Sequence, residues 1–204
     1  MNIKFLKFLF TIKHVGYLYE LGWIKSFLKG SPINEQGQPI PWMTYPLIKF
    51  LDKRINKNQI VFEYGSGNST LYFSNYVEKV VAIEHDLDWF NKINSRISDN
   101  IELIYKVLRP GGEYSKTVNT LGQDFSIIII DGRDRVNCIY ESVLALDPSG
   151  VIILDDSERE DYQEGRQFLF ARGFKEIEFW GISPGLFYEK CTSIFYRQNN
   201  CFNI

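Results

Sequence analysis

The segment Ile60–Thr70 constrains the fold more than any other part of the chain. An apolar run, Ile60-Val61-Phe62, ends at the acid Glu63. Gly65 and Gly67 follow with one residue between them, and Asn68, Ser69 and Thr70 then offer helix-starting side chains. Glycines so spaced let a strand turn into a helix while the backbone comes close to a ligand, because neither carries a Cβ that would collide.

The pattern then repeats. Val80–Glu84 predicts a second strand, Ile101–Tyr105 a third, and Phe125–Ile130, with four consecutive isoleucines, a fully buried fourth. Val151–Leu154 predicts a fifth after the turn Pro148-Ser149-Gly150. Helical spacing falls between them, near Ser69–Asn75, Leu87–Ile97, Val136–Leu144 and Glu160–Ala171. Ile177 and Phe179 alternate with glutamates, and Thr192–Arg197 follows with no helix between, so the last two strands pair antiparallel. The expected fold is α/β: a Rossmann-like doubly wound sheet, mostly parallel with an antiparallel last strand and helices on both faces. Residues 41–204 form that domain, and residues 1–40 an N-terminal helical extension and loop.

The extension reads as one helical, aromatic stretch over residues 3–29. Lys4, Lys7, Thr11 and His14 make a polar stripe on an otherwise apolar surface. Such a helix packs on the domain, packs on a second copy, or lies in a membrane interface. Arg109–Gln123 is polar, carries Gly111-Gly112, and is the expected mobile lid or substrate loop.

At 204 residues, 45% apolar and 16% aromatic, the chain has ample material for a core. A net charge of −2 gives no general nucleic-acid signature, and no nucleic-acid partner is expected. Cys138, Cys191 and Cys201 have neither metal-ligand spacing nor a disulfide framework, so a reducing cytoplasm is expected, with membrane association through the first helix as an option. No apolar run reaches the roughly 18 residues that a membrane span needs.

In an open parallel sheet, ligands bind beyond the carboxyl ends of the strands. Here those ends carry Glu63, Glu84-His85-Asp86, Asp131-Gly132-Arg133 and Asp155-Asp156. Acids are poor strand residues, so their recurrence points to a site. Glu84 lies about 20 residues after the glycine turn, where a carboxylate grips ribose hydroxyls. A dinucleotide fingerprint needs a third glycine, and Thr70 stands there instead. Glu63 beside the turn repels a pyrophosphate and suits a cationic ligand, such as a sulfonium bearing an ammonium group.

Glu63-Tyr64-Gly65-Ser66-Gly67 resembles the acid-x-Gly-x-Gly motif of the class I S-adenosylmethionine-dependent methyltransferases, and Glu84 matches their ribose-binding acid. The likeness runs over roughly residues 41 to 197. It implies S-adenosylmethionine as cofactor. Glu63, Tyr64, Gly65, Ser66, Gly67 and Ser69 would hold the methionine moiety, Glu84 the ribose, and His85 and Asp86 the adenosine, with Asp131 beside the cofactor. The usual acid after the third strand has no clear match at Tyr105-Lys106. Neither an Asn/Asp-Pro-Pro-aromatic motif nor a Pro-Cys pair is present, which argues against DNA methylation at adenine N6 or cytosine C5.

Strands four and five are expected as neighbours, about 4.8 Å apart, so Asp131, Asp155 and Asp156 could converge on a divalent cation, Mg2+ or another. This is similar to the cation-dependent O-methyltransferases. In the alternative, Asp131 contacts the cofactor and Asp155 or Asp156 caps the next helix. Asp131 and His85 are the candidate catalytic residues, His85 as a base, since Arg133 and Arg135 are too basic to serve. Arg133 and Arg135 bind an acidic substrate or pair with Asp134 and Glu141. The expected reaction is methyl transfer to a small molecule or sugar, at oxygen. The rival readings are an aminopropyl transferase and a non-catalytic binding or assembly module on the same fold.

Overall fold

The computed structural model describes residues 2–204. Seven strands form one sheet: β1 (Ile60–Tyr64), β2 (Lys79–Glu84), β3 (Ile101–Tyr105), β4 (Phe125–Ile130), β5 (Leu146–Asp155), β6 (Lys175–Gly181) and β7 (Lys190–Tyr196). Their order is β3-β2-β1-β4-β5-β7-β6, with β7 antiparallel to both neighbours and every other pair parallel. The order reverses between β1 and β4. The crevice beyond their carboxyl ends is where such a sheet binds ligands.

The isoleucine run of β4 shows why the sheet needs cover on both faces. Successive side chains of a strand point to opposite sides. Ile127 and Ile129 enter one core layer with Leu47, Leu51, Phe73 and Ile153. Ile128 and Ile130 enter the other with Phe62, Tyr64, Ile139 and Leu169. The first layer is closed by α4 (Tyr45–Leu51) and α5 (Asn68–Tyr76), and the second by α8 (Arg135–Ser142) and α9 (Gln163–Ala171). The remaining crossover helix, α6 (Leu87–Asn94), links β2 to β3. It ends three residues before the expected Ile97.

Four local expectations are corrected. The N-terminal stretch is three helices, α1 (Ile3–His14), α2 (Tyr17–Glu20) and α3 (Trp23–Lys29). Gly16 and Gly22 break it with φ of 101° and 75°, outside the helical region. The segment 109–123 is no free lid. It holds α7 (Glu113–Lys116) and a tight 3-10 turn at Thr117–Thr120, and it buries Tyr114 and Val118 in the core. Tyr64 donates to the Ser115 carbonyl at 2.6 Å, and Gly111 N–H donates to Asp134 at 2.8 Å, tying the segment's start and its middle down. β5 starts at Leu146, because Pro148-Ser149-Gly150 forms an irregularity inside the strand; the register steps from Phe125–Leu146 to Ile127–Val151. β7 starts at Lys190, two residues earlier than its apolar pattern suggests.

Candidate active site

The glycine turn sits at the end of β1, as its sequence requires. Gly65 has φ of 94°. A Cβ there would lie 3.2 Å from Gly132, and a Cβ on Gly132 would lie 2.9 Å from Gly65 N and 2.2 Å from Tyr114 Oη. The ends of β1 and β4 therefore meet backbone to backbone, over a buried tyrosine. Gly132 and Tyr114 were missed as site residues. The signal for Gly132 was a second glycine directly after an acid-ended strand.

Glu63 is buried. It accepts hydrogen bonds from Ser69 Oγ and from Thr70 Oγ1, the latter at 2.5 Å. Thr70 Oγ1 also accepts from Gly67 N–H at 2.9 Å. The residue standing at the third-glycine position thus closes the turn onto the acid. Burial raises the Glu63 pKa from 4.5 to about 7; the two hydroxyls oppose the rise, and Glu84 adds to it.

Glu84 ends β2, also buried, and accepts from Ser66 N–H and Oγ at 3.2 and 2.9 Å, and from His85 and Asp86 N–H at 2.7 and 3.0 Å. His85 Nδ1 lies 2.9 Å from Glu84 Oε1. Asp86 caps α6, accepting from Trp89 N–H at 2.9 Å. Trp89 Nε1 in turn donates to the Ser66 carbonyl at 2.7 Å. One cleft of about 400 Å³ is lined by Glu63, Gly65, Ser66, Ser69, Glu84, His85, Asp86 and Asp131, together with Trp89, Gly132, Arg133 and Arg135. Tyr64, Gly67 and Thr70 shape the turn without lining this cleft. His85 stands at the end of β2, two strands or about 10 Å from the end of β4. It therefore sits beside Glu84, across the cleft from Asp131.

The ends of β4, β5 and β7 are built differently. Arg135, at the start of α8, donates to the Gly132, Asp131 and Asp155 carbonyls and to Asp131 Oδ1 at 3.1 Å. Its Nη1 lies 3.6 Å from Asp156. Arg135 is buried, and its pairing is with Asp131 and Asp156, not with Asp134 or Glu141 as expected. Lys190, buried at the start of β7, reaches Asp155 at 2.5 Å and Asp156 at 2.6 Å. Thr192 donates to Asp155 at 2.6 Å, and Arg159 pairs with Asp156 at 2.7 Å. Asp134 and Asp156 adopt φ of 56° and 51°, in the left-handed region that aspartate tolerates better than most non-glycine residues.

These pairings set the protonation states. Burial alone would lower the Lys190 pKa, but Asp155 and Asp156 raise it above the ordinary lysine value, so it stays an ammonium. Burial would raise Asp156, yet Lys190, Arg135 and Arg159 hold it below the usual range. Asp131 is pushed well up, by burial and by Asp155, against the pull of Arg135 and Lys190. About a quarter of its side chain, 23%, still faces open space.

The donor set does not fit the expected divalent cation. Asp131, Asp155 and Asp156 do come together, but Arg135 and Lys190 stand among them and supply the positive charge. Among the described residues no group of three potential ligands is arranged to hold a metal ion. Lys190 is a site residue that the sequence reading did not name. It lies 35 residues from Asp155, and only the antiparallel entry of β7 beside the end of β5 brings them together. A lysine heading an apolar strand was the available signal.

No family model matches the chain, and no curated protein matches it in sequence. Its fold is shared with solved methyltransferases. An rRNA methylase from Streptococcus thermophilus superposes with a TM-score of 0.58 at 19% identity, covering 75% of this chain and 97% of that one. A candidate methyltransferase from Streptococcus mutans, solved with S-adenosylhomocysteine, gives 0.55 at 14%, covering 76% and 99%. A candidate caffeoyl-CoA O-methyltransferase from Staphylococcus aureus gives 0.58 at 13%, covering 96% and 100%. The chain therefore has the fold of the class I S-adenosylmethionine-dependent methyltransferases.

Proposed function

We propose that this protein is an S-adenosylmethionine-dependent methyltransferase acting at an oxygen of a small molecule or sugar. One observation carries the reading: two buried carboxylates, held without a cationic partner except for the His85 contact, face one cleft at the reversal of strand order. Such a site is electrostatically suited to a ligand with positive charge and hydroxyls. Gly65 and Gly132, packed backbone to backbone, line the cleft without side chains.

Glu63 would take the methionine ammonium, with Ser66 and Ser69 lining the same end, and Glu84 the ribose. His85 and Asp86 would border the adenosine. When bound, the cofactor supplies an activated methyl group on a sulfonium. The protein's work is then to align the acceptor and exclude water. Asp131 lines both the cofactor cleft and the adjoining cleft bounded by Trp42, Asp155, Asp156, Tyr188 and Lys190. Its raised pKa suits it to accept the acceptor's hydroxyl proton. The Lys190 ammonium faces the same space and would stabilise negative charge growing on that oxygen. In this reading Lys190 and Arg135 occupy the role expected of a divalent cation. The three cysteines are free thiols, which supports a reducing, cytoplasmic setting.

Isothermal titration of the full chain with S-adenosylhomocysteine tests the reading. The expected result is one-site binding that Glu84→Ala weakens by at least about tenfold, the equivalent of one strong hydrogen bond to a charged group. No heat at millimolar ligand would overturn it.

A further inference from the structure

Helix α1 is twelve residues long and buries none of them. Phe5, Leu6, Phe8, Leu9 and Phe10 are all exposed, Phe10 by 62%. At helical spacing Lys4, Lys7, Thr11 and His14 fall on one narrow arc and the apolar residues take the rest of the circumference. Lys13 alone stands outside that arc, with a stem long enough to reach back to the polar side. Among the described residues no helix is long and apolar enough to cross a membrane.

A second apolar surface lies on the domain itself. Leu28 on α3 is 73% exposed and Phe187 in the β6–β7 loop is 69% exposed. Phe187 packs on α3, the helix that carries Leu28. Trp23 Nε1 donates to the Leu186 carbonyl at 2.8 Å, and the Phe187 ring packs edge-on to Trp23 and Phe27 at 4.7 and 5.0 Å. The loop lies so close to α3 that a Cβ on Gly185 would sit 2.8 Å from Phe27 N. Contiguous apolar surface held this firmly in water marks an interaction site.

Charge identifies the occupant. Residues 2–30 carry five lysines and one acid, Glu20. A second copy would bring like charges together, whereas a bilayer with anionic headgroups neutralises them and accepts the aromatic side chains in its interface. We propose that the N-terminal extension and the β6–β7 loop dock on an anionic phospholipid surface. Tyr188, next to Phe187, lines the cleft that holds Asp131 and Lys190. Docking there sets the mouth of that cleft at the bilayer, within reach of an acceptor carried on a lipid. That last consequence rests on the methyltransferase reading; the docking itself does not.

The test is co-sedimentation of the full chain with phosphatidylcholine vesicles, with and without phosphatidylglycerol. The bound fraction should rise about tenfold with the anionic lipid and fall again in high salt. Phe8→Glu with Leu9→Glu, and separately Leu28→Glu with Phe187→Glu, should each reduce binding about tenfold, at unchanged melting temperature. Absence of binding to anionic vesicles, or binding that neither pair of substitutions moves, would overturn the proposal. So would a stable dimer in light scattering that the α1 pair dissociates while vesicle binding is absent, because the surface would then join two copies. Titration of the same samples with S-adenosylhomocysteine keeps the two readings apart: loss of cofactor binding with vesicle binding intact sinks only the enzyme assignment.

Discussion

At the ends of β1 and β2, Glu63 and Glu84 are held by hydroxyls and backbone N–H groups, with His85 as the only titratable contact. At the ends of β4 and β5, Asp131, Asp155 and Asp156 are held by Arg135, Lys190 and Arg159. The same residue type ends neighbouring strands of one sheet, yet the two groups do opposite work. Carboxylates held by neutral donors leave uncancelled negative charge, which a cationic ligand can neutralise. Carboxylates held by cations, two of them buried, are already neutralised, and they fix those cations in place. On the proposed reading, the first arrangement would bind charge and the second would present it.

The comparison breaks most violently at Lys190. Lys190→Met leaves Asp155 and Asp156 without their shared partner in a buried setting. Loss of one member of such a group costs about 3–5 kcal/mol. Urea denaturation should show that loss, and methyl transfer should vanish. If stability is unchanged, the cluster is not charge-coupled as described.

Asp131→Asn separates chemistry from binding. The rate of methyl transfer should fall about 10²–10⁴-fold, the usual contribution of a positioned base. Affinity for S-adenosylhomocysteine should stay within about threefold, a difference of less than 1 kcal/mol. Equal losses in both would make Asp131 a cofactor ligand and no base.

Glu63 sharpens the other side. Its carboxyl is raised from 4.5 to about 7 in the folded protein, above its unfolded value. Its stabilising contribution is therefore present below about pH 4.5 and is lost as the pH rises through about 7. That loss is on the order of 3 kcal/mol at pH 8. Glu63→Gln should make the protein without cofactor more stable than the original chain at pH 8, and no more stable at pH 4. It should also weaken cofactor binding. Thermal melts across that range check the sign.

The smallest effect is an expected null. Chelation with EDTA should leave the transfer rate within about twofold, because the fixed cations are side chains. Loss of activity that Mg2+ restores would return a metal to the cluster.

Much of this was legible in the sequence, and the boundary is physical. β1 and β4 were read to the residue, since a buried parallel strand is a continuous apolar run and the Gly65–Gly67 turn has few structural alternatives; β3, a half-exposed edge strand, was also read to the residue. The acids at strand ends followed from the fold class. Lys190 did not, because its partners lie more than thirty residues away and only the reversed direction of β7 joins them. Tyr114 did not, because a polar, glycine-bearing stretch gave no periodicity, although its one aromatic is the anchor that carries the segment into the core. The breaks in the N-terminal stretch were visible as Gly16 and Gly22 and were outweighed by the helical spacing around them.

A crystal structure of the protein with S-adenosylhomocysteine tests the central claim most directly. The amino acid ammonium should lie within roughly 3 Å of Glu63, and the ribose hydroxyls at the same reach from Glu84. A ligand seated with phosphates on the Gly65–Gly67 turn, or a cleft that stays empty at saturating ligand, would contradict the account.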